Sequence, residues 1–234
     1  MLTRTTTSTP ETASTRLLAC GAVAGPLFTG VALAQVLTRD GFDLGRHPLS
    51  LLSLGDLGWV QTGNFIVGGL LSMAFAVGLR RSPEPEWAGR WGPRLYGGFG
   101  LGMVAAGVFP TDPSDGFPPG VSDGPASWHS LVHDVAAGIA VDLALVSCLL
   151  LARRLRDARR TGWAWYSLLT GLVGLALSWW PDQDGISVRL ALVVTLVLAW
   201  ATALAVRLLH ERPERPEVRD RSAAPVPEPT EHFG

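Results

Sequence analysis

The chain is poor in charge and in reactive side chains. It contains no lysine, only two cysteines and 17% charged residues among its 234 residues, whereas a soluble domain carries about a quarter. This deficit excludes a soluble enzyme, a coiled coil and a disordered protein. The net charge of −1 gives no reason to expect nucleic acid as a partner.

What the chain does have is a series of long apolar runs. Hydrophobic residues make up 47% of the sequence. A bilayer core about 30 Å thick is crossed by about 20 apolar helical residues. Six segments meet this requirement: 17–38, 60–79, 93–109, 129–152, 163–180 and 186–206. The runs are continuous and do not alternate, so they predict helices and not strands. We therefore expect an all-α, polytopic transmembrane bundle with six spans.

The arginines predict the orientation of this bundle. All 19 basic residues are arginine, and all but Arg39, Arg46 and Arg189 fall on the same side of the six spans. Because cytoplasmic segments are rich in basic residues, both termini are expected in the cytoplasm, with the protein in the plasma membrane. Cys20 and Cys148 lie near the cytoplasmic ends of their spans, so no structural disulfide is expected.

The composition divides the chain into three parts. Residues 1–15 are rich in threonine and serine, residues 16–210 contain the six spans, and residues 211–234 mix charge with proline. Both ends predict disordered tails, because they cannot bury enough apolar surface to fold. The segment 32–34, Ala-Leu-Ala, is similar to a signal-peptidase site, and cleavage there would leave five spans. The length of the first apolar run favours an uncleaved anchor.

Polar side chains capable of binding or catalysis concentrate on the predicted outer side. We expect them to line a shallow pocket in the outer leaflet that binds a membrane lipid or another amphiphile. The candidates are Arg46, His47, Ser50, Gln61, Asn64, Asp112, Asp115 and Trp128. In this pocket Arg46 has two alternative roles. It pairs with Asp112 or Asp115 and clamps two loops together, or it receives a lipid phosphate or carboxylate.

A pair of histidines at the start of the fourth span raises the alternative of a metal site. His129 and His133 are one helical turn apart, so their rings share a face and match the spacing of a zinc pair. His47 would supply a third nitrogen, and an aspartate would act as base in a metal-dependent membrane hydrolase. The simpler interpretation is that these histidines form hydrogen bonds at the membrane interface. Haem is disfavoured, because no second helix offers a histidine at mid-depth.

One acidic residue lies well inside a predicted span. Asp142 is nine residues after His133, which places it about half a turn away, so the two side chains face nearly opposite directions. An intramembrane carboxylate is a functional candidate, and it raises a third alternative, a small-molecule transporter. The sparse charge within the spans argues against that alternative. The oligomeric state is not predicted.

Several short motifs together resemble a known family. They are RHPLS at 46–50, GWVQ at 58–61, NF at 64–65, FPTDP at 109–113, FPPG at 117–120 and WHSLVH at 128–133. In this combination the chain, over about residues 17–208, is similar to the bacterial and archaeal membrane proteins of domain of unknown function 998. The resemblance implies a small helical membrane protein. It implies no activity, so no catalytic role carries over from it.

Overall fold

The computed structural model describes residues 10–81 and 87–211 and is all-helical over those ranges. Six α-helices follow one another: α1 (Pro10–Thr38), α2 (Gly58–Arg80), α3 (Trp87–Val108), α4 (Trp128–Asp157), α5 (Thr161–Ser178) and α6 (Ile186–His210). A short 3₁₀ helix, Leu49–Ser53, lies between α1 and α2. Each helix contains one of the six apolar segments apart from at most two residues at its end, so the predicted helices are confirmed.

Four of these helices are long and apolar enough to cross a membrane. They are the Ala13–Thr38 part of α1 together with α2, α4 and α6. Helix α3 is rich in glycine and contains Arg90 and Arg94, and the shorter α5 begins with a polar and aromatic segment that includes Trp163, Trp165 and Tyr166. This composition lowers their mean hydropathy. The chain is therefore a helical membrane protein.

The six helices form a closed ring. Each packs against its neighbours in sequence, and α6 packs against α1 to complete the ring, whereas α4 and α6 make little direct contact. The loops 39–57, 109–127 and 179–185 lie together at one end, which we call the loop end. The opposite end holds most of the described arginines and is called the arginine end. The centre of the ring is filled by Phe75, Tyr96, Phe99 and Trp200, all buried.

Close backbone contact between helices depends on glycine. A Cβ atom on Gly69 of α2 would lie 2.5 Å from the carbonyl oxygen of Gly100, and one on Gly100 of α3 would lie 2.6 Å from that of Gly69. Such a distance is shorter than any real Cβ contact. In lipid, where apolar surface alone does not drive helices together, small residues of this kind permit close packing.

The termini differ in part from the prediction. Helix α1 begins at Pro10 and therefore includes the last part of the segment 1–15, which the sequence assigns to a tail. Residues 1–9 and 212–234, the rest of the two predicted tails, lie outside the described residues. Residues 16–210 contain all six helices except the first turns of α1.

Candidate functional site

His47 is a buried residue of the loop between α1 and α2, and both of its ring nitrogens are occupied. Nδ1 accepts a hydrogen bond from the backbone N–H of Asp43 at 2.9 Å, and Nε2 lies 3.1 Å from the carbonyl oxygen of Asp115. Because an N–H only donates and a carbonyl only accepts, the proton is on Nε2. The ring lies 5.4 Å from those of Phe42 and Phe117. No lone pair remains for a metal.

Arg46 joins the same two loops through backbone groups. Its guanidinium donates to the carbonyl oxygen of Asp115 at 3.0 Å, and its own carbonyl accepts from the Ser187 hydroxyl at 3.0 Å. The predicted contact between Arg46 and Asp115 is present, but the main chain of Asp115 makes it and not the carboxylate. Arg46 thus holds the loop 39–57 against the loop 109–127 and against the start of α6.

Asp112 organises the start of α4. Its carboxylate accepts hydrogen bonds from the Ser127 backbone N–H at 2.5 Å and from the Ser127 hydroxyl at 2.8 Å. These two bonds lower the pKa of the Asp112 carboxyl below its ordinary value. The Ser127 hydroxyl in turn accepts from the Ser130 N–H and caps the helix. Both carboxylate oxygens of Asp112 therefore accept a hydrogen bond from Ser127.

The two histidines of α4 bind the end of α3. Nδ1 of His129 lies 3.0 Å from the carbonyl oxygen of Pro110 and 3.9 Å from the Asp112 carboxylate. Nδ1 of the buried His133 lies 2.9 Å from the carbonyl oxygens of both Ala106 and Phe109. Ala106 lies in the last turn of α3, and Phe109 and Pro110 follow its end, so their carbonyls have no helical hydrogen-bond partner. The proton of His133 is therefore on Nδ1, which leaves an acceptor lone pair on Nε2.

The three histidines do not form the predicted metal site. Within residues 10–81 and 87–211, no three histidine, cysteine, aspartate or glutamate side chains are placed to hold a metal ion. His47 is committed to Asp43 and Asp115, while His129 and His133 use Nδ1 to bind α3. The zinc set of His47, His129 and His133 is corrected accordingly, and the hydrolase alternative loses the ligands on which it depended.

Gln61 and Asn64 lie inside the bundle and not in an outer pocket. Both are buried, as is Gln35 of α1. Gln61 Oε1 accepts from Gln35 Nε2 at 2.8 Å and from Asn64 Nδ2 at 3.2 Å, and Asn64 Nδ2 also donates to the carbonyl of Phe28 at 3.0 Å. We call these three side chains the amide cluster. It joins α1 to α2. Sequence reasoning missed Gln35, which directly follows the segment 32–34.

Trp128 and Asp142 form contacts that the sequence did not predict. The Trp128 side chain is 69% exposed and packs edge-on against Phe109, with the ring centroids 5.9 Å apart. Asp142 accepts a hydrogen bond from the indole N–H of Trp179 at 3.1 Å. The neighbour of Asp142 is thus an indole, and this bond holds α4 near the end of α5.

A cavity of about 340 Å³ lies at the loop end, where α4 and α6 make little contact. Four helices and the 3₁₀ helix supply its walls, and three of the lining side chains are polar: Ser50, His133 and Asp134. The apolar lining residues are Phe28, Pro48, Leu49, Phe65, Ala137, Gly138, Val141, Leu190, Ala191 and Val194. Asp134 and Gly138 are exposed, so the cavity opens at the surface of the bundle. We call it the α4–α6 cavity.

The sequence identified only part of this cavity. Ser50 and His133 line it, whereas the other predicted pocket residues do not: Arg46, His47, Gln61, Asn64, Asp112, Asp115, Trp128 and His129. Asp134 was missed although it directly follows His133. The spacing of Asp134, Ala137, Gly138 and Val141 follows one face of a helix and could have indicated the wall of the cavity.

A second cavity, of about 640 Å³, lies among the loops at the same end. Its main cationic group is Arg39, which already contacts other groups of the protein. The guanidinium donates to the carbonyl oxygen of Leu54 at 2.5 Å and lies over the ring of Phe117 at 5.7 Å. Proline residues 113, 118 and 119 form much of the remaining wall. The carboxylates of Asp40 and Asp56 also line this cavity, so its wall is more polar than that of the α4–α6 cavity.

The fold and its four long apolar helices define a helical membrane protein. The chain belongs to the family described as "Protein of unknown function (DUF998)", whose model matches residues 22–207. The resemblance inferred from the sequence motifs is confirmed. Neither a curated protein nor a solved structure matches the chain.

Proposed function

We propose that the protein is a multi-pass protein of the plasma membrane that crosses the bilayer six times and binds an amphiphile in the α4–α6 cavity. Helices α3 and α5 pack within the same ring as the four long apolar helices. At about 1.5 Å per residue their lengths are about 33 and about 27 Å, close to the thickness of a bilayer core. The arginine end then faces the cytoplasm, together with both termini.

The placement of polar and apolar groups in the cavity is the observation that carries this proposal. His133 and Asp134 lie near the start of α4, and Ser50 lies in the 3₁₀ helix, so all three are at the loop end. Val141 is about 12 Å further along α4, at about 1.5 Å per residue. A ligand with a polar head at the loop end and an apolar tail directed into the bilayer would fit both parts.

The polar groups favour a particular head group. Nε2 of His133 is an acceptor, because Nδ1 carries the proton and is bound to α3. The Asp134 carboxylate also accepts, and the Ser50 hydroxyl both donates and accepts. Within residues 10–81 and 87–211, no arginine lines the cavity, so a phosphate or carboxylate head would meet no cation from these residues. A head group with hydroxyl or amine donors complements these side chains.

The experiment is a titration of the detergent-solubilised protein with monooleoylglycerol, followed by native mass spectrometry. Gly138→Phe adds a ring at the wall of the cavity, and the Cβ atom of the new side chain would meet nothing within 4 Å. Gly30→Phe is the matched control, since Gly30 of α1 is also exposed, meets nothing within 4 Å and lies outside the cavity. We expect at least tenfold weaker binding in Gly138→Phe only. Equal binding by both variants would refute the proposal.

Oleoyl lysophosphatidate serves as the second probe, because it has the same tail with an anionic head. We expect it to bind more weakly than monooleoylglycerol to the unaltered protein. Stronger binding of the phosphate-bearing probe would contradict the assigned head-group chemistry. The variant His133→Phe should weaken monooleoylglycerol binding in particular, since it removes the Nε2 acceptor.

A further inference from the structure

A groove at the arginine end, between α4 and α5, combines cationic and apolar groups. Its volume is about 430 Å³. Arg153, Arg156 and Asp157 of α4 lie on its rim, and all three are exposed. Leu149 of α4 and Leu168 of α5 lie deeper in the bundle and form part of an apolar floor. We call this the α4–α5 groove. It lies at the opposite end of the molecule from the α4–α6 cavity and shares no residue with it.

The rim is arranged to receive an anion. Arg153 and Arg156 are three residues apart on α4, so their side chains leave the helix on the same face. The formal charges of Arg153, Arg156 and Asp157 on this rim add up to +1. Arg160, in the turn that follows α4, forms an ion pair with Glu211 at 3.1 Å.

The start of α5 adds a second favourable feature. Thr161, the first residue of this 18-residue helix, lines the groove, and the preceding Arg160 provides no side-chain cap. The first N–H groups of a helix have no partner within it and attract negative charge. An anion held by Arg153 and Arg156 would therefore lie near the positive end of the α5 dipole.

The apolar floor indicates that the anion belongs to a lipid. Leu149 lies about 10 Å from Arg156 along α4, and Leu168 lies about 10 Å from Thr161 along α5, at about 1.5 Å per residue. Both leucines are thus at the depth of acyl chains when the arginines are at the depth of head groups. Trp165, 58% exposed at the groove, suits the boundary between these two zones.

We propose that the α4–α5 groove binds one phospholipid with an anionic head group. The phosphate contacts Arg153 and Arg156, and an acyl chain lies along the floor between Leu149 and Leu168. Basic pockets between transmembrane helices bind anionic lipid heads by this chemistry. The site is independent of amphiphile binding at the loop end.

The test is native mass spectrometry of the full-length protein titrated with dioleoylphosphatidylglycerol and, separately, with dioleoylphosphatidylcholine. We expect the anionic lipid to bind at least fivefold more tightly. The double variant Arg153→Gln with Arg156→Gln should abolish this preference. The control Arg80→Gln with Arg81→Gln removes the same charge from the same end, outside the groove, and should retain it.

Three results would overturn the proposal. An equal loss in both double variants would show diffuse attraction to the arginine end instead of a site. Equal binding of the two lipids by the unaltered protein would show an apolar groove without head-group recognition. Displacement of the lipid by millimolar inorganic phosphate would show a site for the free ion. If the double variant fails to fold, Arg156→Glu reverses one exposed charge and must give the same loss.

Discussion

His47 donates a hydrogen bond from Nε2 to the carbonyl oxygen of Asp115, 3.1 Å away, and so joins two loops whose contacting residues are 68 positions apart. The same ring accepts from the Asp43 N–H at its other nitrogen. Because both nitrogens are used and the ring is buried, His47 acts as a connector at the loop end. Its role is to fix the path of the loop that leads into the wall of the α4–α6 cavity.

We expect His47→Phe to destabilise the protein. Phenylalanine keeps the ring contacts with Phe42 and Phe117 but leaves the Asp43 N–H without its acceptor, while the Asp115 carbonyl keeps the Arg46 guanidinium as a donor. An unpaired buried polar group costs about 1–3 kcal/mol. Arg46→Gln is the control, because Arg46 is exposed and its loss should cost about 0.5 kcal/mol or less. The two variants are compared by their free energies of unfolding in mixed detergent micelles. Equal values would contradict the role assigned to His47.

Asp112 should make the stability of the protein depend on pH. Hydrogen bonds from Ser127 lower the pKa of this carboxyl in the folded protein, so the ionised form stabilises the folded state at neutral pH. This contribution is lost as the pH falls through the lowered pKa. Asp112→Asn should therefore lower the transition temperature at pH 7, and the gap to the unaltered protein should narrow below about pH 4.

The control for this prediction is Asp123→Asn in the same loop. Asp123 is exposed, and its replacement removes the same charge without removing a bond to Ser127. We expect no comparable effect at pH 7. A gap between Asp112→Asn and the unaltered protein that stays constant down to pH 3 would mean that the ionised carboxylate does not stabilise the start of α4.

The sequence predicted the helices well for a simple physical reason. An apolar run of about 20 residues in a bilayer has to be helical, since every backbone group must be paired within the segment. The site was predicted less well. The spacing of His129 and His133 correctly placed both rings toward one side of α4, but hydropathy contains no information on the path of the loops. Whether a metal or the end of α3 receives those rings depends on that path.

The buried amides show a second limit. Gln35 stands alone in an apolar run, and its partner Gln61 is 26 residues further along the chain. A helical wheel shows which residues share a face of one helix but not which face meets the next helix. The pairing of Gln35 with Gln61 therefore required the packed structure. The sequence alone singled out His133, but it did not indicate the residues of α1 and α6 that line the cavity beside it.

The contact between Gly69 and Gly100 should be intolerant of even a methyl group. Alanine at either position would place Cβ within 2.6 Å of a backbone carbonyl of the facing helix, so α2 and α3 would have to move apart. Overpacking of this kind costs about 1–3 kcal/mol. Gly63→Ala on α2 is the matched control, because a Cβ atom there meets nothing within 4 Å. Equal unfolding free energies for Gly69→Ala and Gly63→Ala would show that the close approach does not stabilise the bundle.

Removal of metal should leave the protein unchanged. The three histidines are bound to carbonyl or N–H groups of the protein, so extensive treatment with a chelator should alter neither the transition temperature nor the binding of monooleoylglycerol. Elemental analysis of protein purified without a histidine tag checks the same point, with His129→Ala beside it. Stoichiometric zinc that disappears in the variant would restore the metal hypothesis and require a rearranged loop end.

The amide cluster allows the strength of the hydrogen bond between Gln35 of α1 and Gln61 of α2 to be measured. Gln61 Oε1 accepts from both Gln35 and Asn64, while Gln61 Nε2, Gln35 Oε1 and Asn64 Oδ1 have no partner. A double-mutant cycle of Gln35→Leu and Gln61→Leu isolates the first of these bonds. We expect a coupling of about 0.6 kcal/mol, and at most about 1.7, as for other hydrogen bonds between membrane helices.

A second double-mutant cycle tests whether the coupling energy comes from the hydrogen bond between Gln35 and Gln61. Thr38→Val paired with Gln61→Leu should give no coupling, because Thr38 donates to Ala34 within α1. Each leucine also removes an unpaired buried atom, so the single variants should cost less than the loss of a fully satisfied amide. A coupling near zero for Gln35 and Gln61 would mean that the bond does not hold α1 against α2. The close approach of Gly78 of α2 to the backbone of Leu17 and Leu18 of α1 would then have to supply that stability.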